Sequence, residues 1–291
     1  VKKFVEASRK ILAKRYDVTI VFQKLFDIGK GIKHCFATGN WGVQKNAYIR
    51  SGVSQVLSRL SYASMVSHIR RIVLPVDKDS KNVKIRQIHP TQFGMVCVFE
   101  TPEGMQIGTV KNMAIFARVS MAVPHQLVID AVMPYVSHAK ISGTVVLVNG
   151  SIIGEVSDPR QFVATVRDMR RRNIINPDVS VVYREIDNEV VLCCDECRLV
   201  RPFFRADDKE FLRQVYDGTL ANPSWPELVD SGRIVYLDTN EIEDSEIAME
   251  YSDALANPEF PYCEIAPIAM LGICAAAIPF ADHNQSARNC F

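Results

Sequence analysis

The chain has 291 residues, 48% of them apolar and 23% charged, with a formal net charge of +1. That is ordinary globular composition, which excludes wholesale disorder, and the length suits two or more domains that bury cores without staples. No run of about 18 apolar residues occurs, so no membrane-spanning helix is expected.

The neutral total hides a division. Residues 1–90 hold 18 Lys+Arg against 5 Asp+Glu, a net +13, and residues 91–291 carry −12. The first stretch suits a polyanion and the second does not. A basic face kept for solubility accounts for the same count.

The start, Val1-Lys2-Lys3-Phe4, has neither Met nor an apolar signal core and reads as a piece of a longer chain. Residues 1–33 are predicted helical, with a basic face and apolar Phe4, Val5, Ile11 and Leu12. Phe36-Ala37-Thr38-Gly39-Asn40-Trp41-Gly42 breaks that pattern with two loop glycines. A second helix is predicted over about 43–72, because Val53, Val56, Leu57, Leu60 and Ala63 recur at helical spacing. It would carry Arg59, His68, Arg70 and Arg71, end at Pro75, and lead into an exposed polar loop over 77–82. Short strands and turns are expected over 83–123, split by Thr101-Pro102-Glu103-Gly104.

From Pro124 to about Arg205 an independent unit is expected. Thr144 to Val148, Asn149-Gly150 and Ser151 to Gly154 form a hairpin signal. Asp158-Pro159 then opens a helix bearing Phe162, Val163, Val166 and Met169 and ending in Arg170-Arg171-Arg172-Asn173. A second hairpin runs from Val179 to Ile186 and from Glu189 to Cys194. Residues 206–250 are acidic, with a helix near Phe211 to Tyr216 and a strand over Arg233 to Asp238. The acids of 238–253 are expected at the surface. From Tyr262 the chain is small and apolar up to Asp282. The fold class is α+β, multi-domain.

Cys193, Cys194 and Cys197 contain one CxxC, half of a four-ligand zinc site. The remaining cysteines are scattered singly and read as reduced thiols of an intracellular protein. A zinc-stabilised hairpin in a non-catalytic nucleic-acid-binding module stays open as an alternative. The histidines show no ligand spacing. Asp282-His283, and Glu100 with Glu103, are candidate acid–base sets and equally hydrogen-bonding structural residues. No phosphate loop and no aspartate cluster for two metals is present, so no Mg²⁺ site is read here. Cations and amides remain. Arg288 and Gln285, within His-Asn-Gln-Ser-Ala-Arg-Asn, and Arg86-Gln87 suit phosphate oxygens and ribose hydroxyls. They satisfy loop backbone as readily.

Seven blocks recur together in this order. They are Ala37-Thr38-Gly39-Asn40-Trp41-Gly42, Gly52 to Arg59, Ser67-His68-Ile69-Arg70-Arg71, Arg86-Gln87-Ile88-His89-Pro90-Thr91, Glu100-Thr101-Pro102-Glu103-Gly104, Val110-Lys111-Asn112, and Ile278 to Asn289. With them the chain resembles, over essentially its whole length, the second-largest subunit of multisubunit DNA-directed RNA polymerases of eukaryotic, archaeal or large-DNA-virus type. The resemblance implies the end of a protrusion over 1–33, a fork over 34–123, external domains over 124–205 and 206–250, and the truncated start of a β-rich hybrid-binding domain over 251–291. It implies that Thr38, Gly39, Asn40 and Trp41 form a fork loop near the upstream RNA–DNA hybrid. Lys78, Lys81 and Lys84 would belong to a second fork loop at the downstream DNA. Arg86, Gln87 and Glu103 would lie at the active centre, Arg288 at the triphosphate of the incoming nucleotide and Gln285 near the RNA end. Partners would be the largest subunit, other polymerase subunits, DNA template, transcript and nucleoside triphosphates, with no membrane. Mg²⁺ would be held by the largest subunit and no zinc by this chain, which alone would be inactive. The compartment would be the nucleus of a eukaryote, or host cytoplasm, nucleus or virion for a virus. Gln92-Phe93, Val98-Phe99, Ala281, Ala287 and Cys290-Phe291 depart from the cellular pattern and suggest a divergent, viral lineage.

Overall fold

The computed structural model describes residues 9, 28–41, 52–76, 82–138, 143–220 and 223–290. The chain forms two compact units, Val1–Ser61 and Tyr62–Phe291. In the first, helix α1 spans Ile28–Thr38. Helical backbone therefore runs through Phe36 and Ala37, and stops where Gly39 turns to φ +69°. The helix predicted over 43–72 shrinks among the described residues to α2, Tyr62–Ile69. Residues 52–61 are turns, bends and irregular chain. Gly52, Ser54, Ser58 and Ser61 weaken helix there, since glycine costs backbone entropy and serine bonds its own backbone. The apolar residues gain no buried face: Val56 and Leu60 are 93% and 91% exposed.

The second unit opens with α2, followed by β1 (Arg71–Val73), paired antiparallel to β2 (Val110–Asn112). Single 3₁₀ turns fill the interval between them, followed by β3 (Arg118–Val119) and α3 (His125–Val132). The predicted hairpin is β4 (Thr144–Val148) and β5 (Ser151–Val156), joined by Asn149 at φ +47° and Gly150 at φ +79°. Helix α4 (Pro159–Arg171) starts as predicted: the Asp158 carboxylate accepts from the Gln161 amide and Pro159 fills the first turn. The second hairpin is β6 (Ser180–Arg184) and β7 (Glu189–Cys193), and β7 runs parallel to β4. This sheet, in order β5-β4-β7-β6, is covered by α4 through Phe162, Val163, Val166 and Met169.

Strand β8 (Leu199–Arg205) is the spine of a second sheet. The chain continues through α5 (Lys209–Tyr216), α6 (Trp225–Asp230), β9 (Ile234–Asp238), α7 (Thr239–Glu243), β10 (Ile247–Ala248), α8 (Tyr251–Ala256) and β11 (Tyr262–Cys263). Strand β9 takes one edge of β8, while β3 and β11 share the other and β10 pairs with β11. Phe204, Phe211, Leu212, Ile234 and Cys263 form its core. Short helices close the chain, among them α9 (Ile273–Ala276) and α10 (Ser286–Cys290).

The acids of 238–253 do not all face solvent: Asp238 and Glu241 are 2% and 1% exposed. Asp238 caps α7 by accepting from the Glu241 amide at 3.0 Å, and accepts from Arg198 Nη1 at 3.0 Å. Arg170 Nη1 donates to both Glu241 oxygens, at 2.9 and 2.8 Å, and to the Val179 carbonyl. Burial alone pulls the Arg170 guanidinium down, but the adjoining Glu241 carboxylate outweighs it and holds it up. The pair ties the two sheets together. Glu241→Ala leaves Arg170 buried without its counter-charge, and is expected to lower unfolding free energy by about 3–5 kcal/mol, with the double change Arg170→Met/Glu241→Leu costing far less; urea unfolding checks both.

Burial, with the Glu264 and Asp253 charges, pushes the Cys263 thiol up to about 12. Cys197 is exposed. Iodoacetamide near neutral pH, followed by peptide mass mapping, is therefore expected to label Cys197 well before Cys263.

Candidate nucleic-acid interface

The loop of the first unit is held by its own polar groups. Thr38 Oγ1 donates to the His34 carbonyl at 2.7 Å and accepts from the Asn40 amide at 3.4 Å. The Trp41 indole donates to Ser54 Oγ at 3.0 Å, and its ring meets Phe36 edge-on with centroids 5.3 Å apart. Val53 N donates to the Gly39 carbonyl. Asn40 is exposed and Trp41 half-buried, a fixed aromatic beside a polar tip.

In the second unit Lys84, exposed, opens a single 3₁₀ turn that ends at Arg86. Lys78 and Lys81 lie outside the described residues. Arg86 Nη1 donates to the Met105 and Ile107 carbonyls at 2.7 and 2.8 Å. Behind it, Gly108 at φ +71° presses on the Arg86 backbone, where a Cβ would lie 2.3 Å from the carbonyl oxygen. Thus Arg86 staples its own turn to the turn that Glu103 opens. Gln87 and Glu103 remain exposed.

Thr101 links this staple to the last helix. Its Oγ1 donates to the Val110 carbonyl and accepts from the Gly108 amide, at 3.0 and 2.9 Å, and its amide donates to the Cys290 carbonyl at 3.3 Å. Asn289, buried, donates to the Ala281 carbonyl at 2.8 Å. These bonds fix α10, which carries Arg288; Gln285 lies just before it, and both side chains are exposed. The structure therefore joins Arg86, the turn that follows Glu103 and the helix of Arg288 through bonded backbone.

Several other residues quoted from the sequence take structural places. Ser67 Oγ donates to Glu100 Oε1 at 2.6 Å. Arg70 Nη2 donates to the Ala114 and Ala117 carbonyls at 2.6 and 2.7 Å, and burial lowers its guanidinium. Lys111, buried, donates to Gln92 Oε1 at 3.2 Å. Asp282 and His283 face one another at 3.5 Å on the surface. Cys194 is buried, with Sγ accepting from Asn149 Nδ2, while Cys197 is exposed. Among the described residues no group of three or more His, Cys, Asp or Glu converges on a point that could hold a metal, and no helix is long and apolar enough to cross a membrane.

Residues 55–119 match the family described as RNA polymerase Rpb2, domain 3, and residues 146–207 match RNA polymerase Rpb2, domain 4. The chain is 38% identical to DNA-directed RNA polymerase II subunit 2 of Arabidopsis thaliana, over 91% of this chain and 24% of that protein. It is 36% identical to a probable DNA-directed RNA polymerase II subunit RPB2 homolog of Invertebrate iridescent virus 6, over 100% and 25%. It is 33% identical to DNA-directed RNA polymerase subunit Rpo2 of Sulfolobus acidocaldarius, over 91% and 25%. The chain thus spans about a quarter of the length of these relatives.

Thr101→Val removes the acceptor of the buried Gly108 amide. It is expected to cost about 1–3 kcal/mol in urea unfolding and to speed hydrogen exchange at Gly108; wild-type protection there would show that the staple does not depend on Thr101.

Proposed function

The chain belongs to the RNA polymerase Rpb2 family, and on that premise we propose that it works within the second-largest subunit of a DNA-directed RNA polymerase, which joins nucleoside triphosphates along a DNA template. The observation that carries the reading is the anchoring of α10 on Thr101, which ties the helix of exposed Arg288 to the turn that Arg86 holds and Glu103 precedes. Phosphoryl transfer depends on alignment and on stabilising developing charge more than on covalent help from the protein. In this reading Arg288 meets the triphosphate of the incoming nucleotide and Gln285 the RNA end. Arg86 acts as a positioning residue, holding the turn that presents Glu103, with Gln87 beside it. Lys84, with Lys78 and Lys81, faces downstream DNA. The Thr38–Trp41 loop faces the upstream hybrid, Trp41 offering a ring on which a base stacks.

The same reading takes 1–33 as the end of the protrusion, 34–123 as fork, 124–205 and 206–250 as external domains and 251–291 as the start of the hybrid-binding domain. Residues 128–194 and 204–263 hold two distinct hydrophobic cores, the second of which runs past residue 250. The largest subunit and other polymerase subunits complete the enzyme. Mg²⁺ is assigned to the largest subunit, and no residue of this chain is given a part in holding it. The compartment is intracellular: the nucleus, or for a virus the host cytoplasm, nucleus or virion.

In an assembled polymerase, Arg288→Ala is expected to raise the nucleotide concentration for half-maximal elongation about tenfold, the loss of one charge-assisted hydrogen bond. Elongation with unchanged nucleotide dependence would overturn the role.

A further inference from the structure

We infer that the cleft between α4 and the β6–β7 hairpin docks an acidic peptide segment of a partner protein. The inference does not depend on the polymerase reading. Arg160, Arg167 and Arg171 lie along one face of α4 and, with Glu185 and Asp244, line a cleft of about 320 Å³ floored by Val163. Arg160 is committed to Glu185 at 2.6 Å. Arg167 is held more loosely: it is ion-paired with Asp244, whose Oδ2 stands 3.6 Å from Nη2, but its Nε and Nη2 are buried and make no hydrogen bond. The Arg171 ion pair with Asp207 is stretched to 4.0 Å.

Two guanidiniums one helical turn apart repel each other. An oxyanion placed between them relieves that repulsion and offers the planar acceptors that a guanidinium fork matches. A carboxylate fits better than a nucleic-acid backbone. Glu185 and Asp244 at the rim repel a run of phosphodiesters, whereas the amide N–H groups of a peptide supply them with donors. Val163 gives the aliphatic stem of a glutamate an apolar floor.

The probe is a fluorescein-labelled peptide of alternating glutamate and alanine, titrated into the intact chain and followed by anisotropy. A counterpart with glutamine for glutamate and an oligothymidylate competitor complete the set. The glutamate peptide is expected to bind and the glutamine peptide not. Arg167→Gln and Arg171→Gln are each expected to weaken binding about tenfold. Arg171 lies at the helix surface, so Arg171→Gln keeps the test open should Arg167→Gln unfold. Arg184→Gln, on the same hairpin but outside the cleft, is expected to change nothing. Equal binding of the glutamine peptide, equal loss in Arg184→Gln, or displacement of the peptide by oligothymidylate at lower concentration than by unlabelled peptide would each overturn the inference, the last in favour of nucleic acid.

Discussion

One buried cation holds the second unit in register. Arg201 of β8 donates through Nη1 and Nη2 to the two Glu264 oxygens, at 2.9 and 2.6 Å, and both side chains are all but inaccessible. Its guanidinium lies 4.2 Å from the Phe203 ring centroid and 5.7 Å from that of Phe93. Gly94, at φ +69°, closes on the same group, and a Cβ there would sit 2.2 Å from Nη1. Three distant stretches meet on one planar fork: the turn at 93–94, the sheet spine, and the chain that leads to α10. A buried ion pair adds little net stability against an apolar replacement, because desolvation offsets attraction. What the fork adds is direction, since only one approach satisfies both bonds. Beyond Glu264, bonds from Val98 to Met270 and from Ile115 to Leu271 continue the alignment. The placement of Arg288 therefore depends on a residue that touches none of the proposed ligands.

Local signals were legible in the sequence and long-range ones were not. Asp158-Pro159 and Asn149-Gly150 act within three residues of themselves, so spacing and residue type sufficed to place a cap and a turn. Arg170 meets Glu241 across 71 positions, and Arg201 meets Glu264 across 63. Nothing local marks either acid. Half of the first pair was nonetheless readable. Arg170 stands four residues after Val166 and seven after Val163, on the buried stripe of α4. Reading Arg170-Arg171-Arg172 as a basic run concealed that its first member points inward.

The interface shows a related limit. Motif residues Arg288, Gln285, Gln87 and Glu103 do lie at the surface. What holds their elements are backbone carbonyls at Met105, Ile107, Val110, Ala281 and Cys290, which carry no residue-type signature. The failed helix over 52–61 has the same origin. Apolar spacing states which side chains would share a face, and whether a partner covers that face is decided elsewhere in the chain.

The charge division takes on a different meaning once burial is known. Asp178, Asp238, Glu241 and Glu264 are each nearly inaccessible, and they pair with Arg118, Arg198, Arg170 and Arg201. All of these arginines come from the acidic stretch itself, not from residues 1–90. Burial in pairs removes equal amounts of both signs, so it leaves the formal −12 of residues 91–291 unchanged. Arg288 is thus an exposed cation in a stretch with excess negative charge. At physiological salt, exposed charges act over roughly 8 Å. In the proposed role Arg288 therefore acts only on what lies within that reach, and where it lies is set by the bonds through which Thr101 and Asn289 hold α10.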